Sequence, residues 1–194
     1  MYNTICMSHL QYPPPINANG HEYVDLGLPS GTLWATMNVG ATSPTEYGNH
    51  YMYGMGSKTY DSADIPYDGT EDPLDLSKDT ARQTWDGDWH MPTQAQLTEL
   101  TANTTFEWTT IDGVNGGKFT AKNGNYVFFP AAGYWNYSSQ YSYSGQYDVG
   151  DDGTYWGSSP NGSDSAYYLD FYDGDKGVYD DFRQHGYSVR PVIG

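Results

Sequence analysis

A chain of 194 residues has the length of one domain and enough mass to bury a sizeable core. Its 24 acidic side chains face only 8 basic ones, a formal charge of −16 that repels nucleic-acid phosphates and anionic membrane surfaces, so neither is an expected partner. A single cysteine, Cys6, excludes an intrachain disulfide framework and thiol-ligated zinc, and no stretch approaches the roughly 18 apolar residues that cross a bilayer, so no membrane insertion is expected.

Hydrophobic residues make up 37% of the chain, so its core must lean on aromatic rings: six Trp, six Phe and twenty Tyr. Residues 1–20 read as a tail or linker, because Pro13-Pro14-Pro15 forbids helix and ladder donors and Asn17-Ala18-Asn19-Gly20 favours turns. The ordered domain is expected over 21–194. It opens with a short strand at Glu22–Leu26, a turn through Leu28-Pro29-Ser30-Gly31 and a returning strand, Thr32–Val39. In that strand Leu33, Ala35, Met37 and Val39 alternate toward the buried face, with Trp34 across the other. Residues 40–75 read as irregular loops laid over a core.

Ser77–Trp85 has a capping serine and good helix formers, and predicts a short helix ending at Asp86-Gly87. A second helix is expected from about Gln94 to Ala102. There Thr93 and Gln96 stand in the capping-box relation, and Leu97 and Leu100 form the buried stripe. The period then turns alternating: Phe106–Ile111 and Gly117–Lys122 read as strands, with turns at Asp112-Gly113 and Asn115-Gly116-Gly117. Asn123-Gly124 joins the second of these to Asn125–Phe129, which Pro130 ends. Gly186–Val192 suggests a closing strand beside the first one. No internal repeat is evident.

Between these strands, residues 133–185 are built mostly from Tyr, Ser, Gly, Asp and Asn. Such a stretch reads either as an ordinary glycine-rich surface loop or as a binding surface. Tyr gives large amphipathic contact area for the loss of only two χ angles, while Ser, Gly and Asn adapt their hydrogen bonds, and Trp135, Tyr155, Trp156, Leu169, Phe171, Val178 and Phe182 remain as anchors. Nine of the nineteen Asp fall between Asp148 and Asp181, where only Lys176 and Arg183 oppose them, so this face suits a neutral or cationic partner. The expected contact residues are Tyr137, Tyr141, Tyr143, Tyr147, Asp164, Tyr168, Asp170, Tyr172, Asp173, Asp175, Tyr179, Asp181 and His185. Alternation aims Tyr168, Asp170 and Tyr172 to one face and leaves Leu169 and Phe171 inward. Trp34, Trp89, Trp135, Trp156 and Phe128 are expected in the core.

Catalytic signals are weak. The five His, at positions 9, 21, 50, 90 and 185, form no zinc-protease motif, and no Ser or Cys nucleophile stands in a recognisable context, so the chain is read as no enzyme and no cofactor is expected. The aspartate turns at Asp148–Gly153 and Asp170–Asp175 offer oxygen donors to a hard cation, yet neither fits the calcium loop that ends on a Glu, and no metal ligand is assigned.

Several runs carry a family resemblance. Val24-Asp25-Leu26-Gly27-Leu28-Pro29-Ser30-Gly31-Thr32-Leu33-Trp34-Ala35, followed by Asn38-Val39-Gly40-Ala41, resembles the opening of the Fibrobacter succinogenes major paralogous domain, a C-type-lectin-like fold of gut bacteria and their phages. Trp89-His90-Met91-Pro92-Thr93, Phe129-Pro130-Ala131-Ala132-Gly133-Tyr134, Tyr155-Trp156-Gly157-Ser158-Ser159-Pro160 and Gly186–Val192 agree in order; His90 stands where that family is expected to carry Arg. The resemblance implies an α+β, C-type-lectin-like fold, two helices with a small twisted antiparallel sheet and long irregular loops. Within that family the C-terminal part, about residues 134–189, is similar to the variable region of diversity-generating retroelement proteins. That implies a ligand-binding protein on a phage virion tail or a bacterial cell surface, its partner a protein or glycan on a cell surface. An oligomer is compatible with this, and the alternative is an undiversified adhesin or a calcium-dependent glycan-binding lectin.

Overall fold

The computed structural model of the chain describes residues 16–138 and 143–194. The described strands include one inside the stretch read as tail. Ile16–Ala18 (β1) turns through Asn19-Gly20 into His21–Asp25 (β2), which pairs with Leu33–Ala35 (β3) in the register Val24↔Trp34. Both faces of β3 are covered: Trp34 and Ala35 are wholly buried, while Leu33 is only half-buried.

Helix α1 (Thr80–Trp85) is shorter than expected, because Asp79 rather than Ser77 caps it. Asp79 Oδ1 accepts the Arg82 amide at 2.9 Å and Oδ2 the Met91 amide at 2.8 Å, so one buried carboxylate starts the helix and pins the segment that follows it. Helix α2 (Gln94–Asn103) carries the capping box read from the sequence: the Gln96 amide donates to Thr93 Oγ1 at 3.2 Å and the Thr93 amide to Gln96 Oε1 at 2.9 Å.

Thr104–Ile111 (β4), Val114–Ala121 (β5) and Tyr126–Pro130 (β6) form a three-stranded antiparallel sheet. Asn115-Gly116-Gly117, expected as a turn, lies within β5. The glycines are there for closeness: a Cβ on Gly116 would sit 2.2 Å from the Phe129 carbonyl oxygen, and one on Gly117 2.8 Å from the Phe106 ring.

The Tyr/Asp-rich stretch, expected as irregular loops, is largely strand. Tyr134–Ser138 (β7) pairs with Tyr143–Tyr147 (β8), and Asp152–Asn161 (β9), Ser165–Tyr172 (β10) and Asp175–Phe182 (β11) form a second three-stranded sheet in the order β11-β10-β9. Asp173-Gly174 closes the β10–β11 hairpin with Gly174 at φ +100°, a conformation that L side chains resist. The closing strand is only Val192–Ile193 (β12). It pairs with β3 rather than with β2, while residues 186–188 bridge to Trp135, Tyr51 and Tyr155.

The expectation of an α+β, C-type-lectin-like layout is overturned. Strand accounts for 41% of the described residues and helix for 9%, in four small antiparallel sheets with a β-sandwich-like arrangement. Outside the Tyr168–Tyr172 alternation the stretch has a loop-like composition of Tyr, Asp, Ser and Gly, yet strand pairing runs through backbone hydrogen bonds that these side chains leave free to form. One apolar cluster gathers Val24, Trp34, Leu97, Phe119, Phe129, Leu169 and Phe171; a second gathers Tyr51, Tyr53, Trp89, Trp156, Ala166 and Tyr187. The β9–β10–β11 sheet stands between them, Leu169 and Phe171 facing the first and Ala166 and Tyr168 the second. Tyr51 and Tyr53, expected in loops over the core, are part of it. Trp135, expected in the core, is half-buried against Tyr60.

Candidate functional site

Beyond Ala166, the outer face of β10 emerges from the second cluster into a concavity. Tyr168 lies opposite Tyr179, Asp170 opposite Gly177 and Thr154, and Tyr172 opposite Asp175 and Asp152, so these side chains share one face while Leu169 and Phe171, fully buried, hold the strand from behind. Strand β7 and the closing segment complete the walls. The cavity holds about 270 Å³ and is lined by Tyr134, Tyr168 and Tyr187, by Asp148, Asp152, Asp170 and Asp181, and by Asn136, Thr154 and His185.

Tyr187 is the floor. Its ring lies 4.3 Å from Trp156 and 4.9 Å from Tyr168, and Tyr134 meets it edge-on at 6.1 Å. Its hydroxyl donates to Asp181 Oδ2, which also accepts from His185 Nδ1 at 2.8 Å. Burial pushes the Asp181 carboxyl up, but the hydrogen bonds from His185 and Tyr187 outweigh it and leave the carboxyl below its usual range. Among the described residues no such hydrogen bond to the Asp170 carboxyl is seen. Burial first, then the charges of Asp152, Asp175 and Asp181, push its carboxyl up to about 6. Asp152 is raised as well, by burial and by Asp148 and Asp151, and burial likewise raises the Tyr168 and Tyr187 hydroxyls.

The two cations expected to oppose these carboxylates are turned elsewhere. Arg183 is 1% exposed, and its guanidinium donates only to carbonyls in the described contacts: Ser165 at 2.9 Å, Tyr67 at 2.7 Å, Gly69 at 2.8 Å and Gly162 at 2.7 Å. Lys176 Nζ sits 5.7 Å over the Phe106 ring on the opposite side of the sheet. Among the described residues the one ion pair to the cavity's carboxylates is therefore His185 with Asp181, formed when the imidazole is protonated. The cavity is an aromatic cup with an excess of negative charge. Among the described residues no group of three or more His, Cys, Asp or Glu is set to hold a metal ion, so the two aspartate turns weighed for calcium do not converge on one.

Of the residues expected from the sequence, Tyr168, Asp170, Asp181 and His185 come together in the cavity. Tyr172 and Tyr179, 44% and 48% exposed, form its rim, and the Tyr179 ring leans over Gly177, where a Cβ would meet it at 2.5 Å. Tyr147 stacks on Tyr134 at 5.6 Å. Asp173 and Asp175 lie at the β10–β11 turn, whereas Asp164 sits at the other end of β10 on the β9–β10 turn, away from the cavity. Tyr137 and Tyr143 belong to the β7–β8 hairpin by their backbone, and Tyr141 lies outside the described residues. Sequence reasoning missed Tyr134, Asn136, Asp148, Asp152, Thr154 and Tyr187. The usable signal was the chain order: Tyr134 and Tyr187 flank the Tyr/Asp-rich stretch at its two ends, and the antiparallel bridge between Trp135 and Gly186 brings those ends together.

Comparison with known proteins adds a boundary. Residues 101–192, a little under half of the chain, match the model of a domain of unknown function (DUF8237), and every residue lining the cavity falls within that match. No curated protein and no solved structure matches the chain.

Proposed function

We propose that this is a non-catalytic ligand-binding protein of the receptor-binding or adhesin type, its Tyr/Asp/Ser/Gly-rich C-terminal face the contact surface that a diversity-generating retroelement varies. The carrier is a phage tail or a bacterial cell surface, and the ligand a protein or glycan on a cell. What supports this most is the alternation along β10: Tyr168, Asp170 and Tyr172 stand on one face, backed by Leu169 and Phe171 with no exposure at all. Such side chains change identity without disturbing the apolar layer that fixes the strand.

The chemistry of the cup favours a basic group on the ligand. Four carboxylates and three tyrosine rings around about 270 Å³ suit a lysine or arginine side chain, held by ion pairs and by the ring faces. The test is attachment of the purified protein to its host cells, compared with a Tyr172→Ser/Tyr179→Ser variant that alters only exposed rim residues. Attachment should fall by tenfold or more, at about 1–3 kcal/mol for each tyrosine buried in contact. Unchanged attachment by the folded variant sinks the reading. Sequencing the neighbouring DNA checks the diversification separately: a near-copy of the codons for residues 134–189, differing only at adenines, is the expected finding.

A further inference from the structure

We propose that a second cavity, on the opposite face of β7, binds a pyranose ring of a neutral saccharide. Strand β7 partitions the molecule: Tyr134 and Asn136 face the acidic cup, while Trp135 faces away, directly across from Gln146 on β8. Behind Trp135 lies a cavity of about 430 Å³ whose lining includes Tyr47, Asn49, His50, Thr59, Tyr60 and Gln146 and shares no residue with the cup.

Its chemistry differs in kind. In a chain with 24 acidic residues this cavity is lined, among the described residues, by no carboxylate and by no Lys or Arg. His50 is the one titratable base, and it is spoken for: buried, with Nε2 3.2 Å from both the Ala132 and Gly133 carbonyls, it is held neutral as burial lowers its pKa. What remains is three aromatic rings, Tyr47, Tyr60 and Trp135, two side-chain amides and the Thr59 hydroxyl. Trp135 and Tyr60 stack on each other at 5.8 Å with planes 22° apart, which fixes the indole where it lines the cavity. Gln146 donates to the Ala132 carbonyl at 3.3 Å and Asn49 to the Tyr51 hydroxyl at 3.4 Å, bonds long enough for a ligand hydroxyl to displace.

A sugar ring answers that set. Its C–H face is apolar enough to lie on an indole, and its hydroxyls both donate and accept, as amides and the Thr59 hydroxyl do. A peptide answers it poorly. The backbone edge of β7 at Trp135 is already paired with Gly186, in two hydrogen bonds of 2.9 Å, so no strand can be added there.

The test is saturation-transfer NMR on the whole chain with the methyl glycosides of glucose, galactose, mannose and N-acetylglucosamine, and with a capped diglycine amide as the peptide probe. At least one glycoside should receive saturation at its ring protons, with a dissociation constant on the order of millimolar. Trp135→Ala should weaken it about tenfold and Gln146→Leu severalfold, while Ile65→Ser, on an exposed residue outside both cavities, should leave it unchanged. Gln146 is exposed, so its variant keeps the fold if Trp135→Ala does not. The proposal fails if no glycoside in the set is saturated, if Gln146→Leu binds like the parent, or if the diglycine amide alone is bound. Because the cavities are disjoint, none of these results depends on cell attachment through the acidic cup.

Discussion

Asp170 carries the sharpest prediction at the residue scale. Its carboxyl is pushed from 3.8 to about 6, first by burial and then by three neighbouring aspartates. A carboxyl that titrates higher in the folded chain than in the unfolded one contributes its full stability below 3.8, and that contribution is lost as pH rises through about 6. Asp170→Asn should therefore stabilise the protein above that window and change little below it. Because the group is partly open to solvent, screening discounts the gain to on the order of 1 kcal/mol. Denaturant titrations at pH 4 and pH 7 measure it, and an equal effect at both values shows that the carboxyl is not raised. The same ionisation strengthens the cup for a basic ligand as pH rises. Asp170 was legible in the sequence from the alternation of Tyr168, Asp170 and Tyr172, and Asp181 and His185 only as polar members of the Tyr/Asp-rich stretch; the Tyr187–Asp181–His185 connection was not legible, because the turn after β11 that brings His185 and Tyr187 back onto Asp181 carries no periodic signal.

At the scale of elements, the capping box of α2 and the Asn123-Gly124 hairpin were readable, since such signals act through neighbours in the chain, whereas α1 takes its cap from Asp79 and not from the expected Ser77. The β10–β11 hairpin carries an equally local signal in Asp173-Gly174, and it was passed over because the stretch around it was read by composition rather than by period. Close packing between elements is a different matter. Phe171 of β10 lies over Gly153 of β9 and Gly117 of β5; a Cβ at Gly153 would stand 2.0 Å from the Phe171 ring, and one at Gly117 would stand 2.9 Å from it. Gly153→Ala is expected to cost about 3 kcal/mol by overpacking, seen as an earlier urea midpoint. Adding Phe171→Leu should return part of that loss, since the two sites share one space. Additive costs in the double variant would contradict the contact.

For the whole molecule the decisive residue is Arg190, 1% exposed in the middle of the fold. Its Nε donates to Asn38 Oδ1 at 2.8 Å, Nη1 to the Ala35 carbonyl at 3.0 Å and Nη2 to the Phe128 carbonyl at 3.0 Å, with the guanidinium 4.6 Å over the Phe129 ring. One planar fork thus ties the closing segment to the end of β3 and to β6. A lysine ammonium cannot reproduce three diverging donors and would keep its buried charge, so Arg190→Lys should cost about 3–5 kcal/mol, at least as much as the uncharged Arg190→Met. Equilibrium denaturation ranks the two, and a lysine variant within about 1 kcal/mol of the parent refutes the tie.

By itself the sequence determined that the chain repels polyanions, relies on aromatic rings for its core, and starts and stops its longer helix and its Asn123-Gly124 hairpin where those signals lie. It also marked β10 as a strand-like alternation of Tyr and Asp over Leu and Phe. Those features depend on composition or on residues a few positions apart. Only the tertiary structure decided that the chain is mostly strand, that Tyr134 and Tyr187 wall the acidic cup, that Arg183 spends its charge on carbonyls, and that β7 separates two cavities. The cup walls, the Arg183 contacts and the second cavity rest on contacts between residues distant in sequence, which no local period records; the strands pair mostly with their sequence neighbours, and what concealed them was the loop-like composition of the stretch.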